Sequence, residues 1–270
     1  FRFNETAGTP VNSGSLACSL TATGSPQLNN DSSVDGRAVN FTLASNYTLS
    51  NFPDFEVMND RSFSIEMWFK TPTRTNTDWP TFFSIYTPSL ANGFIFARLL
   101  GTNSGLVGKM DVGFAPAAGY TEYKNYTSAR VDNNVWHHMV VTVNTTSLKT
   151  YIDGALSDSA VITTPASLNF DGNNTTKFLG GLGLVDEFAM YDYELTAAQV
   201  NANFVAGNAV YFNDIPGTAS ALMVQPALLT QTNYLASPMT ASSLAGDTRV
   251  SNFDLKNMLS GVYNSLALEI

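Results

Sequence analysis

From Ser62 to Lys70 the chain reads Ser-Phe-Ser-Ile-Glu-Met-Trp-Phe-Lys, with Phe63, Ile65, Met67 and Phe69 on one parity and Ser64, Glu66, Trp68 and Lys70 on the other. Successive side chains of a pleated strand point to opposite faces, so a two-residue period predicts a strand with one face in a core. The same pattern recurs at 136–143 and at 150–156, where Asp153-Gly154 reads as a hairpin turn because Gly accepts the positive φ such turns demand. A third stretch, 177–191, carries Gly180, Gly181 and Gly183, which predict a bulge or a close backbone approach. From Phe1 to about Asn208, short aromatic or β-branched runs are punctuated by Gly, Asn, Asp and Pro at the spacing of a β-sandwich. One short helix is expected, at 195–204, with Thr196 as its N-cap and Val200 and Phe204 four apart.

Composition agrees with an all-β chain and narrows its chemistry. The 18 Phe and 11 Tyr suit half-buried pleated surfaces. Only 13% of residues are charged, so Asn, Thr and Ser carry the solvation. A formal net charge of -9 argues against a nucleic-acid partner, which needs clustered Lys and Arg. Cys18 is the only cysteine, which removes intrachain disulfides and cysteine-built zinc or redox sites. His137 and His138 are adjacent on a predicted strand, so they face opposite ways, one into the core and one out, and cannot chelate one ion together. No apolar run approaches the roughly 20 residues of a membrane-crossing helix, so no membrane insertion is expected. The opening residues carry no basic-then-apolar export signal, and the start at Phe1 suggests a trimmed chain or part of a longer one.

Five pieces, in order, resemble the laminin G-like group of concanavalin-type jelly rolls: Phe1 to Gly8 and Val34 to Phe41, which look like that family's first strands, the Phe63 to Lys70 strand, Trp136-His137-His138 with its Tyr151-Ile152-Asp153-Gly154 hairpin, and Val185-Asp186-Glu187-Phe188 leading to Leu195-Thr196. The resemblance implies an antiparallel jelly-roll β-sandwich over about residues 1–207, followed by an extended C-terminal tail over 208–270. Within that tail the heptapeptides starting at Pro216 and Pro238 agree at Pro, Thr, Ala, Ser and Leu. They read as a surface-packing assembly segment, or as a chance match in a stretch rich in Thr, Ala and Ser. The tail is also similar to segments that follow such domains in tail proteins of bacterial viruses, which implies a virion component.

Relatives of this fold that hydrolyse glucans carry Glu-x-Asp-x-x-Glu on one strand, which projects acid and nucleophile into one cleft. The nearest segment here, 186–194, is expected to place Asp186 with Phe188 and Met190 on one face and Glu187 with Ala189 and Tyr191 on the other. No carboxylates pair until the strand ends, so no catalytic residue is expected. The resemblance implies calcium sites in the family, and Asp186 is the candidate ligand for a structural calcium ion. Its alternative role is to accept hydrogen bonds from backbone amides in the first strands. Trp68 and Trp136 read as core or inter-sheet residues, whereas Trp79 lies in a polar turn, where an aromatic ring can serve as a sugar platform. Sugar recognition pairs such a ring with amides and carboxylates that fix hydroxyls. The candidates are Asp78 and Trp79, then Tyr120, Glu122, Tyr123 and Asn125, then Asn173 and Asn174.

The expectation is therefore a non-enzymatic structural or adhesive protein of a bacteriophage particle, in its tail, fibre or surface decoration. It would display a lectin-like sandwich for a cell-surface glycan or a protein and join other virion subunits, or itself, through the C-terminal segment. The alternative is a secreted or cell-surface carbohydrate-binding module of a cellular organism.

Overall fold

The computed structural model describes residues 1–3, 5, 8–13, 18–29, 37–50, 62–86, 94–115, 122–163 and 176–213. The chain divides into a unit over Phe1–Asp214 and a second over Ile215–Ile270. Past the end of the helix, the assembly segment expected at 208–270 lies outside the described residues, as do Tyr120, Asn173 and Asn174.

Fourteen strands are described in the first unit: β1 (Ser19–Thr23), β2 (Gln27–Asn29), β3 (Ala38–Phe41), β4 (Asn46–Ser50), β5 (Phe63–Lys70), β6 (Thr81–Tyr86), β7 (Phe94–Leu99), β8 (Met110–Ala115), β9 (Tyr123–Tyr126), β10 (Trp136–Val143), β11 (Ser147–Ile152), β12 (Ala155–Val161), β13 (Thr176–Leu179) and β14 (Gly183–Tyr191). They form two seven-stranded sheets. Sheet A has the order β1-β4-β13-β6-β7-β8-β9, and sheet B the order β12-β11-β10-β5-β14-β3-β2. Every strand pairing is antiparallel, and neighbours distant in sequence make this the expected jelly roll.

The period-two strands do what their pattern dictates. Phe63, Ile65, Met67 and Phe69 of β5 share one core with Ile95, Ala97 and Leu99 of β7 and Met110, Val112 and Phe114 of β8. Burying each large apolar side chain stabilises the fold by roughly 1.5–3 kcal/mol. Asp153 and Gly154 both have positive φ, at 52° and 78°, as a tight turn between β11 and β12 requires. Gly183 marks a close backbone approach, since a Cβ there would meet the Lys70 carbonyl oxygen at 2.3 Å. The bulge lies further on, between Asp186 and Ala189.

That bulge corrects the expected faces of β14. Asp186 pairs with Trp68, and Ala189 with Glu66, so three steps on one strand answer two on the other. One extra residue reverses parity, and Glu187, at φ 47°, absorbs it. Asp186 therefore shares the outer face of sheet B with Ala189 and Tyr191, while Phe188 joins the core. The opening residues also differ from expectation. Phe1 to Phe3 form no strand, although Phe3 is fully buried and the Phe1 amino group donates to the Phe188 carbonyl at 2.7 Å.

The helix, α1 (Ala197–Asn213), is longer than its apolar spacing suggested. It begins with a capping box: Thr196 Oγ1 accepts the Gln199 N–H at 3.2 Å, and Gln199 Oε1 accepts the Thr196 N–H at 2.9 Å. The helix packs on the outer face of sheet B. Phe204 stacks on Trp68 with ring centroids 5.8 Å apart, and Val200 joins Val140, Tyr151 and Leu195 in a small second core. Trp68, expected in the core or between the sheets, thus lies outside sheet B under α1, with 4% of its surface exposed.

Candidate ligand-binding face

Beneath α1, Glu66 joins four elements. Its Oε1 meets His138 Nε2 of β10 at 2.7 Å, and its Oε2 accepts the Tyr191 hydroxyl of β14 at 2.5 Å and Asn203 Nδ2 of α1 at 3.1 Å. Burial pushes the Glu66 carboxyl up, but these hydrogen bonds and the His138 ring outweigh it and hold the group below the usual carboxylate range. Burial beside Glu66 drives the Tyr191 phenol far above its ordinary value. His138 is fully buried, and His137, on the core side, spans Asp153 Oδ2 and Asn133 Oδ1. Both histidines are thus buried, one on each side of β10. With both Glu66 oxygens engaged and the helix overhead, this cluster holds structure and offers no approach to a substrate.

Asp186 is also fully buried, and its Oδ1 accepts the Glu187 N–H at 2.8 Å, across the bulge. Among the described residues, no three His, Cys, Asp or Glu side chains gather into a metal-holding group. The amide it meets there belongs to its own strand, β14.

The outer face of sheet A is different. On β7 the core takes Ile95, Ala97 and Leu99, so Phe94, Phe96 and Arg98 point outward. The Arg98 guanidinium lies over two rings, 4.5 Å from the Trp79 centroid and 4.6 Å from the Phe96 centroid. Arg98 is held from β8 by Asp111 Oδ2, at 2.8 Å from Nε and 2.7 Å from a terminal nitrogen. Burial pushes the Asp111 carboxyl upward more than Arg98 pulls it down, and Asp111 Oδ1 is buried with no described hydrogen-bond partner. Trp79 itself is 38% exposed, and its indole N–H donates to Asn103 Oδ1 at 2.7 Å. The ring is fixed in place with surface left to offer.

The loop before Trp79 is anchored from below. Arg74, whose side chain is buried, donates to the Asp78 carbonyl at 2.7 Å and to Asn76 Oδ1, and its backbone N–H donates to Asp132 Oδ2 at 2.7 Å. Burial lowers the pKa of Arg74. Burial raises that of Asp132, but bonds from Arg130 and the Arg74 N–H outweigh it and hold the carboxyl below its ordinary value. The Thr102 N–H to Asn76 carbonyl bond at 2.8 Å closes the loop against its neighbour. A platform held this way loses little entropy on binding.

Further along the face, Gly113 pairs with Phe96 and leaves room for two side chains to lean over it. A Cβ there would meet the Phe96 ring at 2.4 Å and Glu122 Oε1 at 2.7 Å. Glu122 in turn pairs with Lys124 at 3.1 Å. Beside Phe96 a shallow depression of about 180 Å³ is lined by Ser84, Tyr86, Phe94, Ile95 and Phe96.

Of the residues proposed from sequence, the structure brings Trp79 and Glu122 to this one face, and Asp78 is exposed beside Trp79. Tyr123 and Asn125 point the other way. The Tyr123 hydroxyl accepts the Thr163 N–H at 3.2 Å, and Asn125 Nδ2 donates to the Leu148 carbonyl at 3.0 Å and to Thr150 Oγ1 at 3.2 Å, so both tie β9 to neighbouring chain. Sequence reasoning missed Phe94, Phe96, Arg98 and Asp111. The signal was the alternation along 94–99, which puts two aromatics and a cation on one parity.

A laminin G-type profile, described as the concanavalin A-like lectin/glucanases superfamily, matches residues 44–201, more than half of the chain. The chain belongs to that superfamily. The match stops short of the C-terminal segment. Among solved structures, the binding domain of Paraclostridial Mosquitocidal Protein 1 is 17% identical with a TM-score of 0.57, the alignment covering 76% of this chain and 50% of that one. Botulinum neurotoxin type C, in a structure described as showing cell entry dependent on two ganglioside molecules, is 18% identical with a TM-score of 0.57, covering 76% and 50%. Domain 4 of AbnA, a GH43 extracellular arabinanase from Geobacillus stearothermophilus, solved with arabinotriose, is 22% identical with a TM-score of 0.51, covering 68% and 87%. This chain spans about half the length of the two toxin structures. At these identities the likeness is one of fold. No curated protein sequence matches significantly.

Proposed function

We propose that this superfamily member is a non-catalytic, lectin-like binding protein that receives a glycan on the outer face of sheet A. The observation that carries the reading is the Trp79 ring, exposed yet immobilised by the Arg98 guanidinium and by Asn103. An aromatic face stacks on the apolar side of a sugar ring, and nearby polar groups orient its hydroxyls. The ganglioside dependence named for the botulinum toxin and the arabinotriose complex of the arabinanase domain support the reading by analogy of fold. Binding without turnover fits the engagement of both Glu66 oxygens beneath α1. The test is calorimetry or a glycan array on the full chain and on Trp79→Ala. Binding that is lost in the variant supports the reading, and binding indifferent to Trp79 moves the site elsewhere.

The setting we propose is the surface of a bacteriophage particle, in a tail, fibre or decoration role, with 208–270 joining other virion subunits or further copies of the chain. This part rests on the sequence of that segment and on composition. Light scattering on the full chain and on a chain ending at Asn213 tests it, because α1 runs to that residue and must be retained. A multimer that becomes a monomer on truncation supports assembly through the segment. Two monomers would instead favour the extracellular module of a cellular organism, a reading also supported by the likeness to the arabinanase domain.

A further inference from the structure

Among the described residues on the outer face of sheet A, two pairs of opposite charge form, Asp78 stands exposed beside Trp79, and the depression beside Phe96 is lined mainly by apolar side chains. Arg98 is committed to buried Asp111, and Lys124 to Glu122. An acidic sugar would meet pairs that are already neutral overall, so neither Arg98 nor Lys124 offers it an uncompensated positive charge. The depression beside Phe96 is walled by carbon: the rings of Tyr86, Phe94 and Phe96, with Ile95 and the small Ser84 at its floor. Against the hydrocarbon of that lining a sugar hydroxyl loses water without gaining a partner, whereas a methyl group gains by burial. One guanidinium separates the depression from the Trp79 platform, with Arg98 Cζ 4.5 Å from one ring and 4.6 Å from the other.

A protein partner fits this face less well. A stable interface between proteins buries roughly 800 Å² on each side around a more apolar centre. Among the described residues of this face, the large exposed rings are Trp79 at 38% and Tyr86 at 36%, while Phe94 and Phe96 are half-buried. The accessible apolar surface is a platform and a small hollow, the size of a ring and a substituent.

We infer that the ligand is a neutral glycan containing an N-acetylated amino sugar, one ring stacked on Trp79 and an acetamido methyl seated between Phe94, Phe96 and Tyr86. This rests on the glycan-binding reading above and adds the substrate class to it. The assignment also separates this chain from the ganglioside-dependent toxin named above.

Calorimetry on the full chain would compare N-acetylglucosamine and N-acetylgalactosamine oligosaccharides with unsubstituted glucose and galactose oligosaccharides of the same linkage, and with sialyllactose. The N-acetylated ligands are expected to bind at least about tenfold more tightly than their unsubstituted counterparts. Ser84→Leu, which fills the depression, is expected to erase that preference while Trp79-dependent binding persists. Phe94→Ala is a second variant with the same expectation, should the leucine disturb β6. Equal, Trp79-dependent binding of both neutral series would overturn this inference and leave the glycan-binding reading standing. Tightest binding to sialyllactose would overturn the neutral assignment in the same way. If no saccharide binds at all, the glycan-binding reading itself fails.

Discussion

Glu66 and Trp68 on sheet B, and Phe96 and Arg98 on sheet A, occupy equivalent outward positions on strands whose other parity fills the same core. On sheet B these groups lie under α1, with Glu66 6% exposed and Trp68 4%. On sheet A no described element covers them. Both faces combine aromatics, a carboxylate and a cationic or ionisable partner. What differs is access: the same chemistry clamps a helix in one place and is left to meet a ligand in the other. The difference teaches that residue type nominates a site, and that coverage decides whether the site is used.

The largest expected effect lies on the covered face. Glu66→Ala strands His138, Tyr191 and Asn203 together, and should lower unfolding stability by about 3 kcal/mol in urea denaturation. Glycan affinity of the remaining folded protein should be unchanged. If Glu66→Ala abolishes binding without unfolding the chain, the covered face is functional and the contrast collapses.

Phe204→Ala removes the stack on Trp68 and should cost about 2 kcal/mol, below the range for a fully buried Phe because this one is half-buried. A change in the near-ultraviolet circular dichroism of Trp68 would accompany it. Trp79→Ala should show the reverse profile, with about 1 kcal/mol of stability lost, mostly the contact with Arg98, but binding abolished.

Acid should act on the covered face through Glu66 and on the anchor of the Trp79 loop through Asp132. The folded-state pKa values of Glu66, Asp132 and Glu194 are all lowered: in each, burial raises the value, and bonded partners more than reverse it. A carboxylate with a depressed folded pKa contributes stability above its unfolded value, about 4, and loses it as pH falls through the folded value. The melting temperature should therefore decline below about pH 4, and less steeply in Glu66→Gln than in the wild type. The smallest effect is expected from Gly113→Ala. Its methyl displaces Glu122 and the Phe96 ring, which is stacked on Phe94 and lies under Arg98, so stability should change by about 1 kcal/mol while glycan affinity falls.

How much was legible beforehand differs between elements for local reasons. The parity of β5 and the turn at Asp153-Gly154 depend on side-chain alternation and backbone sterics, which any short segment carries with it. The face of Asp186 was misjudged because a single inserted residue reverses parity, and nothing in Val185-Asp186-Glu187-Phe188 announces an insertion that only the pairing with β5 defines. The helix was undermeasured because its second half has little apolar periodicity, and Gly207 is held there by close approach to Trp68, a residue far away in sequence.

The candidate site divides along the same line. Trp79 could be nominated from a polar turn alone, and Glu122 from its aromatic neighbours. Tyr123 and Asn125 looked equivalent to Glu122 until β9 was oriented against β8, because the inward or outward sense of a four-residue strand is set by what it packs on.

By itself the sequence determined the all-β class, the parity of its strongest strands, the tight turn and the capped start of the helix, since all of these arise from interactions within a few residues. Only the tertiary structure decided that Arg98 lies over both Trp79 and Phe96, that Asp111 holds it there, and that α1 covers the outer face of sheet B while no described element covers that of sheet A. Those outcomes depend on pairing between strands and on packing between layers, and long-range contacts of that kind have no signature in any single segment.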